Sequence, residues 1–446
     1  MSGTTTASGG GSVRARAASR PSRIVWSRVA SIHLLAAPVG PDRAADRWPG
    51  IHLAEVAPVL IAYREAKKAK DEAGIKAGHS AADALALRGA KAMLARAVGS
   101  DDPYRERLVA FWADHFTVAP KSRMERPFPA ILIDEAIRPH VAGRFADMLK
   151  AVTTHPAMLV YLNQEASFGP GSPKGKRQKK GLNENLAREL LELHTLGVGA
   201  VYTQVDVREL AELLTGLAVS PDRGFVFDKK RAEPGAETVL GTAYRGDGLD
   251  PVLRALDDLA IRPETAAHLA RKLAVHFVAD DPDAGTVAPL ERAFLDSGGD
   301  LSAMAGVLLS VPQPEALTKV RQPFDFLIAA FRALGERILT LEPKPFKRLI
   351  LDPLAAMGQP FQQAPGPDGW PEPAADWITP QGLAARINWA MHAPERLVRP
   401  LPDPRAFLRL ALGDRADERL VWSVNAAESA RDGVGLVLAS PAFNRR

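Results

Sequence analysis

No cysteine occurs in the 446 residues, which excludes disulfides, thiol nucleophiles, iron–sulfur clusters, thiolate zinc sites and covalently attached c-type haem. Any divalent metal would have to sit on His, Asp or Glu. Glycine and proline, 35 and 36 residues, are too few for a low-complexity or collagen-like chain. Acidic residues are missing before Asp42, whereas Arg14, Arg16, Arg20, Arg23 and Arg28 precede it. Those five arginines account for the formal charge of +5, so the remainder is balanced. The basic excess belongs to a tail and carries no strong nucleic-acid signal. A long hydrophobic run is missing too. Residues 29–39 are broken by Ser31, His33 and Pro38, too short and too polar for a signal-peptide core or a membrane span. Without such a signal the chain reads as cytoplasmic, and export would need a different start. The nucleotide-cofactor motif Gly-x-Gly-x-x-Gly, the phosphate-binding Gly-Lys-Ser/Thr, His-Glu-x-x-His and Gly-x-Ser-x-Gly are all absent.

What remains is helical. Residues 1–41 read as a disordered basic leader and 42–446 as a single, mainly α, multi-helix domain. Asp102-Pro103 opens one helix, His155-Pro156 breaks another, and Asp300 caps a third after Gly298-Gly299. A continuous helix is expected over 130–151, and another over 323–334. Phe225-Val-Phe227 and Thr238-Val-Leu240 alternate between turn residues, which predicts one small β-ribbon inserted at 221–248. The loop 169–181 carries Lys174, Lys176, Arg177, Lys179 and Lys180 with no aromatic residue interleaved, and reads as a mobile, solvated loop. A long ordered loop follows at 359–380.

Polar chemistry concentrates in residues 183–194, Asn-Glu-Asn-Leu-Ala-Arg-Glu-Leu-Leu-Glu-Leu-His, closed by a glycine at 197. On a regular helix Leu186, Leu190, Leu193 and His194 share an apolar face. Glu184, Asn185, Arg188, Glu189 and Glu192 lie opposite, with Glu184/Arg188 and Arg188/Glu192 at salt-bridge spacing. Glu192 and His194 therefore point apart and cannot share one ion. Two readings stand: a core histidine with a charge-laced solvated face, or a polar face lining an internal cleft, where Glu189 and Glu192 meet a histidine from another helix. The loop 195–203 contains no acid, so EF-hand calcium ligation is excluded. His268 and His276 flank Lys272, which suits a solvated helix edge.

These residues also carry a resemblance. The 183–197 helix, Tyr202-Thr-Gln-x-Asp206-Val, Phe111-Trp-x-x-His115-Phe-Thr-Val118, Arg138-Pro-His140, His155-Pro-Ala-Met-Leu159, Asp368-Gly-Trp370 and Leu438-Ala-Ser-Pro-Ala-Phe443 stand in order. Together they resemble the bacterial uncharacterised family called domain of unknown function eighteen hundred, over about residues 100–446. The resemblance implies a largely helical bacterial protein with no established reaction, often neighbour to a sulfatase-like, frequently exported family. Ala113 stands where many members carry a first histidine, Ala232 where a histidine precedes the Pro-Gly of the ribbon, and Glu237 where Lys or Gln is usual. The early Arg-Phe-Gly signature is missing before residue 100. If the ribbon histidine works in the family, the resemblance implies an impaired member.

The expected site is a polar cleft around His115, His155 and the 183–194 helix. Catalysis is expected from Glu189, Glu192, His115 and His155. A divalent metal, if held, falls to Glu189, Glu192 and His155, and a polar or anionic ligand to Asn183, Glu184, Asn185 and Arg188. The alternative is a non-catalytic assembly partner of the sulfatase-like protein.

Overall fold

The computed structural model describes residues 40–311, 319–335 and 340–446. The five leader arginines lie outside them. The architecture is mainly α, as the periodicity predicts. The helices used below are α1 (Leu53–Ala69), α2 (Glu72–Gly99), α3 (Pro103–His115), α4 (Phe145–Thr153), α5 (Pro156–Tyr161), α6 (Asn185–Glu189), α7 (Gln204–Leu213), α8 (Asp250–Ala260), α9 (Pro263–Phe277), α10 (Pro323–Leu334) and α11 (Ala430–Ala439). Their starts follow the sequence signals. Pro103 sits in the first turn of α3 and Asp102 accepts from the Arg105 amide at 3.0 Å. Thr203 and Asp206 form a capping box at α7.

Two hydrophobic cores form. The larger is built from α3 to α9, around Trp112, Phe116, Phe145, Leu190 and Leu269. The second packs α10, α11 and residues 346–443 against Ala90, Leu94 and Val98 of α2. Helix α2 thus serves both, since Leu85 and Met93 pack on the first core. Among the described residues no helix is long and apolar enough to cross a membrane.

Three expectations change. The single ribbon is two hairpins: β1 (Leu217–Ser220) pairs antiparallel with β2 (Gly224–Phe227), and β3 (Ala236–Val239) with β4 (Thr242–Arg245). The first strand begins ahead of 221 because Leu217 and Ala218 continue the core out of α7. The helix expected over 130–151 is broken. A π-helical turn at Ile133–Ile137 and a 3-10 turn at Arg138–His140 precede α4, with Pro139 denying the ladder an amide. The basic loop is partly helical and tied to its neighbours: Ser172 caps a short helix Pro173–Gln178, Lys174 pairs with Asp228, and Lys180 lies 4.9 Å above the Phe168 ring.

Arg138 explains why the broken segment holds. Its guanidinium is buried and grips Glu106 at 2.7 and 2.9 Å and Asp42 at 2.9 Å. Its two terminal nitrogens are paired, and the cluster fastens the start of the described chain to α3.

Candidate functional site

The helix singled out by the sequence presents two chemically different sides. Its outer side is a lattice of partners. Arg188 stands 3.2 Å from Glu192, 3.4 Å from Glu184 and 3.0 Å from the Gln204 side-chain oxygen Oε1. Asn183 is consumed by the backbone, donating to the Asn163 carbonyl at 2.9 Å and accepting from the Asn185 amide at 3.0 Å. His155 caps α5: its Nδ1 accepts from the Ala157 amide at 3.1 Å, while Nε2 lies 2.9 Å from Glu135. Neither Glu189 nor Glu192 is among its partners. Among the described residues no three His, Asp or Glu side chains are grouped as a metal site.

The inner side is where unpaired polarity collects. After α6 the helix widens into a π turn, Leu190–His194. Carbonyls at its end have no helical partner, and two imidazoles supply one: His268 Nε2 reaches Leu193 O at 3.1 Å, and His115 Nε2 reaches His194 O at 3.2 Å. A carbonyl only accepts, so both Nε2 atoms carry the proton. The Nδ1 atoms of His115 and His194 are buried without a partner. Gly197, at φ +95°, lets the chain pass His268, since a Cβ there would stand 2.9 Å from that ring. Burial lowers all three imidazoles, reinforced by the positive charge of Lys272. His115 falls well below its ordinary range, His194 to about 3 and His268 to about 4.

Lys272 is half-buried rather than on a fully solvated edge. Helix α9 carries it into the same interior, and desolvation lowers its ammonium against the opposing charges of Asp114, Glu372 and Asp368. Asp114, on α3 beside His115, is pushed the other way. Burial raises its carboxyl to about 7, although the Trp370 amide donates to it at 2.9 Å. The turn Asp368-Gly-Trp370 comes this close only because position 369 is glycine: φ is +87°, and a Cβ would stand 2.7 Å from Asp114. Glu189 borders this interior. Burial raises its pKa, helped by Glu192 and Asp368. Of the four residues expected to be catalytic, His115 therefore lies inside the polar interior and Glu189 beside it. Glu192 faces Arg188, and His155 belongs to another contact.

The family described as "Protein of unknown function (DUF1800)" matches residues 21–445. The chain belongs to this family. No curated protein and no solved structure matches it. In this DUF1800 chain the positions that depart from the resemblance are instructive. Ala113 lines a cavity on α3, and Glu237 is buried on β3. Desolvation raises the Glu237 carboxyl, with Glu209, Glu212 and Glu233 nearby.

That cavity lies at the seam of the two cores and offers about 120 Å³ to the centres of water molecules, roughly ten times what one water needs. Its walls are apolar: Met93, Phe116, Val118, Ile133, Phe324, Phe361 and Trp370. On α3, Arg107, Ala110 and Asp114 line it at steps of three and four residues, so the alanines make the room. Three charged contacts are matched there or just behind. Arg446 pairs with Asp325, His276 lies 2.6 Å from Glu372, and Glu372 lies 2.7 Å from Lys319. Burial alone would raise Glu372, but His276 and Lys319 hold it at about 2. Arg107 is the exception. It is exposed and lines the cavity, packs its guanidinium 4.9 Å from the Phe277 ring, and has no carboxylate within 4 Å among the described residues.

Sequence reasoning passed over Asp114, Lys272, Asp368 and Arg107 in this DUF1800 member. Two signals were in plain view: Asp368 is part of a motif that carries the resemblance, and His268, Lys272 and His276 recur every four residues on one face of α9.

Proposed function

We propose that the cavity between the cores binds a small amphipathic molecule bearing an anionic group, and that Asp114 exchanges a proton with it. Of the two ligand classes expected from the sequence, the anion fits the charges better than a divalent metal. The carrying observation is Arg107, a cation open to an apolar cavity with no carboxylate of its own. Carboxylates and phosphates complement its fork of donors, and the aromatic walls accept an apolar body. A carboxyl near pH 7 is matched to general acid–base work at neutral pH. The protein then acts as an acid–base enzyme or as a proton-linked binder of one such molecule.

A panel of aliphatic and aromatic carboxylates and organic phosphates, screened by thermal shift and followed by calorimetry, tests this. At least one should bind, and Arg107→Leu should weaken it about 10- to 100-fold. Failure of every anion, or equal affinity in Arg107→Leu, would remove the proposal.

A second reading, assembly with a partner protein such as the sulfatase-like neighbour, is favoured by one surface. Val198, Val201 and Val205 are 76%, 83% and 67% exposed within eight residues of chain. Co-purification with that neighbour, abolished by Val201→Asp, is the supporting result.

A further inference from the structure

Two buried histidines each pair with a glutamate, and only one keeps a nitrogen free. His155 spends both: Nδ1 accepts from the Ala157 amide, and Nε2 donates to Glu135. His276 spends one. Its Nδ1 lies 2.6 Å from Glu372, which stays a carboxylate beside Lys319, so Nδ1 carries the proton. Nε2 makes no hydrogen bond among the described residues, and the imidazole lines the cavity between the cores. Burial lowers the imidazole below its ordinary value, with Arg446 adding to it and Glu372 and Asp325 opposing, so Nε2 offers a lone pair at pH 7. A carboxylate that fixes the tautomer behind an imidazole, with the other nitrogen free at a cavity wall, is the build of a general base.

The chain segment that orients this base also holds an acid. The Trp370 amide donates to Asp114 at 2.9 Å, and two residues on Glu372 meets His276. Lys319 pins the segment, 2.7 Å from the Glu372 carboxylate and 3.0 Å from its backbone carbonyl. Asp114 and His276 therefore face one cavity, from α3 and α9. Among the described residues the only hydroxyl on its wall is Thr117, which donates to the Asp114 backbone carbonyl at 2.6 Å, and no lysine, serine or tyrosine lines it. Proton transfer is the chemistry this wall supplies.

We propose that the cavity is the site of a keto–enol isomerisation, with His276 as the base, Glu372 as its positioning residue and Asp114 as the acid. The inference rests on the anion reading and names its substrate class, a ketone joined through an apolar chain to a carboxylate. Arg107 and Asp114 stand seven residues apart on α3, about 10 Å of helix rise, so carboxylate and carbonyl belong at opposite ends of the ligand. Nε2 takes a proton from the carbon beside the carbonyl. The C–H pair becomes the C=C bond, the carbonyl pair moves onto oxygen, and oxygen takes the Asp114 proton. Ketone, imidazole and carboxylic acid become enol, imidazolium and carboxylate. No electron is gained or lost, and reversal returns the ketone with a hydrogen drawn from solvent.

The test follows deuterium entering 9-oxodecanoate and levulinate beside the ketone, by NMR, with the full chain in deuterium oxide at neutral pD. The long acid should bind and exchange about 100-fold faster than in buffer, and levulinate about tenfold more slowly than the long acid. His276→Gln should abolish the exchange, and Glu372→Gln should slow it about tenfold while affinity by calorimetry stays within about threefold. Glu372→Asp should recover part of the rate, which a purely structural glutamate would not predict. Binding of 9-oxodecanoate without exchange, in the unmodified protein where folding is not in question, would overturn this inference and leave the anion reading standing. Failure of every anion to bind would remove both. Equal exchange of the two acids, or an unchanged rate in His276→Gln, would also overturn it.

Discussion

Two lysines enter the same interior and meet opposite treatment. Lys319 is 1% exposed, and its ammonium is 2.8 Å from Asp280 and 2.7 Å from Glu372, which also accepts through its backbone carbonyl at 3.0 Å. Lys272 is drawn in by α9 and has none of this. The first is what a fold needs if it is to bury a charge at tolerable cost. The second is a charge the fold keeps without answering it, next to an acid that burial has made weak. Burial of a charged group is therefore not the functional signal. A missing counter-charge within 4 Å among the described residues is, and it picks out Lys272, Arg107 and Asp114, which has only the Trp370 amide, while passing over Arg138, Lys319 and Glu372.

The comparison breaks most easily at Lys319. Lys319→Met removes one of the two cations that hold Glu372 ionised and empties a site that is 1% exposed, and should cost about 3–5 kcal/mol in urea unfolding. Lys272→Met removes an unanswered charge, so the melting temperature should stay level or rise, by about 1 kcal/mol of stability. Equal losses in the two variants would sink the distinction. Between them stands Asp114. Its folded carboxyl at about 7 lies above the ordinary 3.8, so the folded state holds the proton longer, and a cost builds between those pH values. Asp114→Asn should stabilise the protein at pH 8, by no more than about 4 kcal/mol. The gain should shrink to under half at pH 5, where the folded carboxyl holds its proton and most of the cost has gone.

The histidines sharpen the same contrast with the opposite sign. His194 and His268 titrate at about 3 and 4 when folded and near 6.5 when unfolded. Their stabilisation is complete above pH 6.5 and is lost as pH falls toward the folded values. Between pH 6.5 and 5 each should withdraw about 2 kcal/mol, partly offset by the relief of Asp114. Melting temperature against pH should show an acid limb beginning near 6.5 that flattens in His268→Gln. A limb that starts only below 4.5 would mean that carboxylates, not these imidazoles, set acid stability.

How much was legible follows from what periodicity can carry. Capping residues act locally, so Asp102, Thr203 and Asp300 announce their helices and the structure places them there. The opposed directions of Glu192 and His194 were also legible, and survive the π turn: Glu192 meets Arg188, and His194 is 2% exposed. The π turns themselves were not, because a one-residue widening leaves no pattern. Lys272 was misread for a deeper reason. Its neighbours His268 and His276 are polar in sequence and buried in space, and only the approach of the 359–380 loop, through Gly369 and Trp370, closes that face off. Residues about 100 positions away in the chain decide how much of that lysine the solvent reaches.

The smallest effect is expected where the sequence looked richest. Arg188 sits between Glu184 and Glu192, but the three side chains are 39%, 34% and 25% exposed, and the contacts run from 3.2 to 3.4 Å. Exposed i,i+4 pairs of this kind contribute about 0.3–0.5 kcal/mol each. Arg188→Ala should therefore lower stability by less than about 1 kcal/mol, and raised salt should erase most of that difference. Any anion that binds the Arg107 cavity should bind this variant with unchanged affinity, because Arg188 faces Gln204 on the opposite side of its helix from His194. A tenfold loss of binding in Arg188→Ala would move the ligand to the charged face of α6 and return Glu189 and Glu192 to the centre of the site.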